Sequence, residues 1–110
     1  MVFQLGAPLL DACVLAVLAR EDTYGYILTQ EIKLVMNISE STLYPVLRRL
    51  QKDGCLDTYD KPFAGRNRRY YTLTKKGKEA YQTYQKEWEQ YKASVDLLLG
   101  GNQNEFSQII

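Results

Sequence analysis

Between Leu9 and Ala19 the chain is apolar nearly all the way round a helix, with Asp11 as the one charge. Such a helix cannot turn a face to water and must be covered on two sides. In a chain of 110 residues a second subunit is the economical cover. A polar break, Glu21–Tyr26, follows, in which Asp22 or Thr23 can cap a second helix over Gly25–Val35. Ile27, Leu28 and Ile32 form that helix's apolar side. After a short turn at Asn37–Ser39, the residues Leu43, Val46, Leu47 and Leu50 fall at i, i+3, i+4 and i+7, the stripe of a third helix. Gly54 closes it.

Pro45 lies inside that third stripe. If Thr42 is the cap, the proline's missing N–H would have been unpaired in any case. If Ser39 is the cap, Pro45 costs one hydrogen bond and bends the first turn. Either way it marks the start of the helix. The pattern then changes to period two: Cys55–Asp60 and Arg68–Leu73 read as two short strands, joined by turn-forming residues over Lys61–Asn67. Alternation puts Tyr71 and Leu73 on one face, inward, and Arg66, Arg68 and Tyr70 on the other.

Thr74 caps a last helix that runs to Leu99 and ends at Gly100-Gly101. Gly77, Tyr81, Tyr84, Trp88, Tyr91, Val95 and Leu98 are spaced alternately four and three apart. That is a heptad seam of about three repeats, aromatic where Leu and Ile are usual. It extends beyond the reach of the globular part, so Tyr81, Tyr84, Trp88, Tyr91, Val95 and Leu98 are expected at a homodimer interface. The element order is that of a winged helix-turn-helix, mainly α with a two-stranded β wing, whose third helix enters the major groove. The expected organisation is a DNA-binding domain over 1–73, with its first helix contributing to dimerisation, a dimerisation helix over 74–99, and a mobile tail over 100–110.

Charge sharpens the picture. The whole chain carries a net +1, but Ser41–Lys78 holds ten Lys/Arg against three Asp, while the remainder holds four against ten acidic groups. A chain so polarised calls for a polyanionic partner at its basic part. Ser41, Tyr44 and Arg48 share one helix face, a hydroxyl and guanidinium surface suited to phosphates and base edges. The residues expected at DNA are Ser41, Thr42, Tyr44, Arg48 and Arg49 on the helix, with Arg66, Arg68 and Tyr70 on the wing.

Two cysteines without CxxC spacing and an absence of histidine argue against a metal site, and no cofactor is expected. The same lack of a general base, phosphate loop or paired thiols argues against an enzyme. Cys13 reads as a small core residue; Cys55 is either another or a redox-sensitive thiol, the inert reading being favoured. The apolar run is too short and too broken for a membrane span, so a cytoplasmic location is expected.

Tyr24-Gly25-Tyr26 with Leu28 and Ile32, Thr42-Leu43-Tyr44-Pro45 with Leu47, Arg49 and Leu50, then Gly54 and Leu56, resemble the helix-turn-helix signature of the PadR family of transcriptional regulators. Gly65-Arg66, Arg69-Tyr70-Tyr71, Leu73-Thr74 and Gly77 resemble its wing and the entry to its dimerisation helix. The resemblance implies a homodimeric repressor on an inverted-repeat operator. It is greatest to the small, multidrug-responsive members with a tryptophan on the last helix, which implies planar aromatic or cationic ligands at Trp88. Tyr84 and Tyr91 either extend that aromatic wall or fill the slot with their own rings. The competing reading is a winged-helix protein-interaction module that binds no DNA, against which the one-sided basic charge argues.

Overall fold

The computed structural model describes residues 6–100. Seven elements follow in order: α1 Ala7–Arg20, β1 Thr23–Tyr24, α2 Gly25–Ile32, α3 Glu40–Lys52, β2 Leu56–Phe63, β3 Arg66–Leu73 and α4 Lys75–Leu99. Of the mobile tail expected over 100–110, residues 101–110 lie outside the described residues.

α1 buries Leu10, Val14, Leu15 and Leu18 against Leu28 and Ile32 of α2, the α3 stripe Leu43, Leu47 and Leu50, and the sheet residues Leu56, Tyr71 and Leu73. The opposite face of α1 (Leu9, Ala12, Cys13, Ala16) is only half-buried, so one of the two sides that its apolar run requires is left open. Burial also raises the Cys13 thiol above its ordinary pKa, which leaves it less thiolate and less reactive.

Three features differ from the sequence reading. The sheet has three strands, in the order β1-β3-β2, because Thr23 and Tyr24 pair with Tyr71 and Tyr70. Neither Asp22 nor Thr23 caps α2. Tyr24 is the N-cap and makes no side-chain cap bond, and the helix ends at Ile32, leaving Leu34 and Val35 exposed. The hairpin is longer than expected. It runs in register to Phe63↔Arg66 around a two-residue turn, Ala64-Gly65, both residues left-handed at φ 53° and 78°. That geometry matches strand twist and lets both strands continue through Lys61–Asn67.

Two caps fix the joints. α3 ends in a Schellman motif, with Cys55 N–H donating to Leu50 C=O at 2.9 Å and Gly54 N–H to Gln51 C=O at 3.0 Å. At the start of α4 the Thr74 hydroxyl accepts from Gly77 N–H at 3.0 Å and donates to Gly54 C=O at 2.6 Å. One side chain therefore ties the end of α3 to the beginning of α4. Along α4, Gly77 is buried, Tyr81 and Tyr84 pack against the core, and from Trp88 outward the helix leaves the core.

Candidate nucleic-acid interface

Ser39 is the cap of α3. Its Oγ accepts from Thr42 N–H at 3.3 Å and lies 2.9 Å from Ser41 Oγ and 3.2 Å from Thr42 Oγ1. The two possibilities for Pro45 are thereby decided: it sits within the helix proper, and the Ser41 carbonyl lacks its usual i+4 donor. Both Ser41 and the carbonyl's turn are exposed, so water can replace the missing bond. The first turn of α3 thus presents a cluster of three hydroxyls and an unclaimed carbonyl, a surface able to donate and accept.

Tyr44 stands beside this cluster and is 38% exposed. Its ring lies against Gly25 at the start of α2, so closely that a Cβ there would meet the Tyr44 hydroxyl at 2.8 Å and two ring carbons at 3.1 and 3.2 Å. The glycine of Tyr24-Gly25-Tyr26 is therefore the seat for the tyrosine of Thr42-Leu43-Tyr44-Pro45. Arg48, one turn on, is exposed and has no carboxylate within 4 Å among the described residues.

Arg49 does not join this face. Its guanidinium reaches back to the Asp11 carboxylate of α1, Nη2 to Oδ1 at 2.5 Å, with Asp53 at 4.0 Å from Nη1. Asp11, first by its hydrogen bond and then by its charge, holds the Arg49 pKa above its ordinary value. Adjacent helix positions point about 100° apart, so two neighbouring arginines take different partners.

On the wing, Arg66 is exposed beside the turn. Arg68 is not free in the way expected. Its guanidinium lies over the Tyr24 ring at 4.6 Å and the Phe63 ring at 5.6 Å, and its Nε is buried without a partner. Tyr70 sits in the same outer face, stacked on Tyr59 at 5.6 Å, edge-on to Tyr24 at 5.5 Å, with Lys61 Nζ 5.4 Å above its ring. Tyr59 in turn donates to Asp22 at 2.8 Å, and this bond raises its pKa. The outer face is a stitched aromatic layer that stiffens the hairpin.

Arg69 was missed by the sequence reading, since alternation puts it on the inward face with Tyr71. The hairpin outruns the core at that point, so an inward residue there is exposed. Tyr71 has its pKa raised chiefly by burial and further by Tyr44, and lowered by Arg69 and Arg48. Tyr44 of α3, Arg48 of α3 and Arg69 of the wing thus all act electrostatically on this one ring. The available signal was a cation in the inward stripe where a buried residue would be apolar.

The expected interface residues of α4 divide. Tyr81, Tyr84 and Val95 are half-buried, whereas Trp88, Tyr91 and Leu98 are exposed. Trp88, 40% exposed, stands between two grooves. One, of about 490 Å³, is lined by Leu9, Ala12, Cys13 and Ala16 of α1, Val35 and Met36, and Tyr81, Tyr84 and Trp88 of α4. The other is bounded by Pro8, Leu9, Ala12, Tyr84, Trp88 and Tyr91. Tyr91 leans on Trp88, with ring centres 6.1 Å apart. No helix of the described residues is long and apolar enough to cross a membrane, and none of their Cys, Asp and Glu side chains cluster as metal ligands would.

Comparison with known proteins agrees with this architecture. Residues 14–83 match the model of the transcriptional regulator PadR-like family. The crystal structure of smu.1704 from Streptococcus mutans is 42% identical, with a TM-score of 0.86 over 92% of this chain and 95% of that one. A PadR-like transcriptional regulator of Bacillus cereus is 33% identical, with a TM-score of 0.78 over 86% of this chain and 94% of its own. Bacillus subtilis PadR, solved in complex with operator DNA, shares the fold at 23% identity and a TM-score of 0.63, over 69% of this chain and 45% of that one. With the helix-turn-helix, the wing and the entry to α4 all inside the matched span, the chain belongs to the PadR-like family of transcriptional regulators, a family of regulators rather than enzymes.

Proposed function

We propose that the chain is a homodimeric, sequence-specific DNA-binding repressor, in which α3 enters the major groove and the wing holds the flanking backbone. The observation that carries this reading is the exposed cationic set on adjacent elements: Arg48 on α3, with Lys61, Arg66 and Arg69 on the hairpin. None of these has a carboxylate within 4 Å among the described residues, whereas Arg49, Arg20 and Lys92 do. Exposed cations left unneutralised on the third helix and the hairpin together suit a polyanion. The fold shared with a PadR solved on operator DNA supports the same reading. Dimerisation is supported by the open side of α1 and by Trp88, Tyr91 and Leu98, which α4 carries exposed. A two-fold dimer would place its half-sites about 10 bp, or a multiple, apart.

The direct test is footprinting on DNA upstream of the chain's own gene, with light scattering for assembly. A dimer protecting an inverted repeat is expected. A stable monomer, or a protein that heparin does not retain and that protects no DNA, would leave the interaction-module reading standing instead. Two substitutions refine the interface. Arg66→Ala should weaken binding to all sequences alike and lower the salt slope by about one unit, measured by titration at several salt concentrations. Gly25→Ala should displace the Tyr44 ring while costing roughly 1–2 kcal/mol of stability, because the clashing atoms belong to a movable side chain. Operator affinity is expected to fall more than the melting temperature suggests. A variant binding as the parent does would show that Tyr44's position is immaterial.

The apolar groove at Trp88 favours a second element of function, response to a planar aromatic ligand. An indole face attracts flat and cationic rings with about 0.5–2 kcal/mol. Trp88 is the chain's single tryptophan, so its emission reports on the groove directly. Titration with a planar cationic dye should quench it, and Trp88→Ala should abolish dye binding while DNA affinity persists. Unchanged emission at saturating dye, with a dimer that dissociates on Trp88→Ala, would make the tryptophan a packing residue.

A further inference from the structure

Asp11 is the one charge in the apolar run of α1, and its side chain is only 10% exposed. A carboxylate so covered is costly unless it is paired and hydrogen-bonded. Its partner is Arg49, 38 residues away on α3. Tyr84 of α4, half-buried against the same core, feels both charges: its pKa is raised by burial and further by Asp11, and lowered by Arg49. The neighbouring Ala12 and Tyr84 itself line the grooves on both sides of Trp88. The ion pair therefore joins α1, one of the two helices that build the groove, to the helix that carries Arg48.

We propose that the Asp11–Arg49 pair is the joint that fixes the orientation of α3 on α1, and that Asp11 is thereby a positioning residue for operator recognition without touching DNA. The inference rests on the reading that α3 is the DNA-reading helix. α3 is also held by Leu43, Leu47 and Leu50 in the shared core and by the Tyr44 ring on Gly25, while the Thr74 and Lys76 bonds to Gly54 and Asp53 tether only its C-terminal end. Apolar contacts of that kind are non-directional and resist rolling of a helix only weakly. A charge-assisted hydrogen bond prescribes distance and angle. Arg48 is the next residue to Arg49 in the chain, so a roll that released Arg49 would swing Arg48 away by the same angle.

Two variants of the full chain separate positioning from simple stabilisation. Asp11→Asn leaves Arg49 without its carboxylate. Asp11→Leu combined with Arg49→Met fills the same space with apolar groups, a replacement that is often neutral or stabilising. In both, amides of Leu43–Leu50 should exchange with deuterium about ten-fold faster than in the parent, with β2 and β3 unchanged. The ratio of operator to random-DNA affinity should fall roughly three- to thirty-fold, with random-DNA affinity retained. The apolar pair should do this at an undiminished melting temperature. An apolar variant that melts as the parent does and keeps both α3 protection and the affinity ratio would overturn the proposal, leaving the pair as packing. So would a loss of protection spread evenly over the chain with the ratio intact. If the parent itself prefers no DNA sequence but α3 still loosens selectively, the repressor reading fails and the joint stands.

Discussion

Gly77→Ala is expected to lower the melting temperature by about 10 °C or more, although alanine is intrinsically the better helix residue by about 1 kcal/mol. The two effects have opposite signs, and the geometry decides between them. A Cβ at position 77 would overlap the Cys55 carbonyl oxygen and lie 3.1 Å from its carbon. Those are backbone atoms, held by the Thr74 N–H donating to that same oxygen at 3.1 Å. No rotamer change relieves the overlap. Either α4 moves off the sheet, or the Thr74 cap and its bond to Gly54 are pulled apart, with Leu73 displaced as well. Overpacking costs about 1–3 kcal/mol where side chains can yield, and losing the cap adds about 1 kcal/mol. A total of about 3 kcal/mol is a large part of the roughly 5–15 kcal/mol that a domain has. A thermal melt of the variant checks this directly. A melting temperature equal to or above the parent's would show that the carbonyl has room to give.

Arg48→Ala and Arg49→Ala, one residue apart, should fail in different ways. Arg48 is exposed and unpaired with any described carboxylate, so its removal should leave the melting temperature within a degree or two. Binding to the operator should weaken by about 1–3 kcal/mol, with much less change on random DNA, if it reads a base edge. Arg49→Ala instead strands the covered Asp11 carboxylate and should lower stability first, by about 1–3 kcal/mol, between the values for exposed and buried pairs because the Arg49 side chain is itself 46% exposed. Paired melts and binding titrations on both variants check the contrast. Equal losses of operator affinity at equal stability would mean that both guanidinium groups face the DNA.

Much of this was legible in the chain itself. The amphipathic stripe located α3, the unbroken apolar run α1 and the heptad seam α4, and the punctuation at Gly54 and Thr74 placed their joints to the residue, because caps are local chemistry. The two-residue β1 was not legible, since its only reason to be a strand is the β3 edge beside it. The full hairpin was hidden by Ala64, a residue that seldom takes a left-handed conformation and so gives no turn signal. The candidate site was legible as a set of exposed cations but not in its division of labour. Arg49 looks like Arg48 until Asp11 is brought to it from 38 positions away. Arg68 looks like a phosphate ligand until Tyr24 and Phe63 close around it. Periodicity says which way a side chain points, whereas partner choice is a tertiary property.

The aromatic layer on the outer face of the hairpin has a kinetic consequence. A wing whose rings are interlocked with β1 arrives at its target already in shape, so little ordering of the hairpin remains to slow the encounter. The association rate should then be governed by diffusion and charge, rising steeply as salt is lowered and depending little on temperature beyond the viscosity of water. Disrupting the layer, for instance by Arg68→Ala, would transfer that ordering into the binding step itself, and the lost affinity should show as slower arrival rather than faster departure.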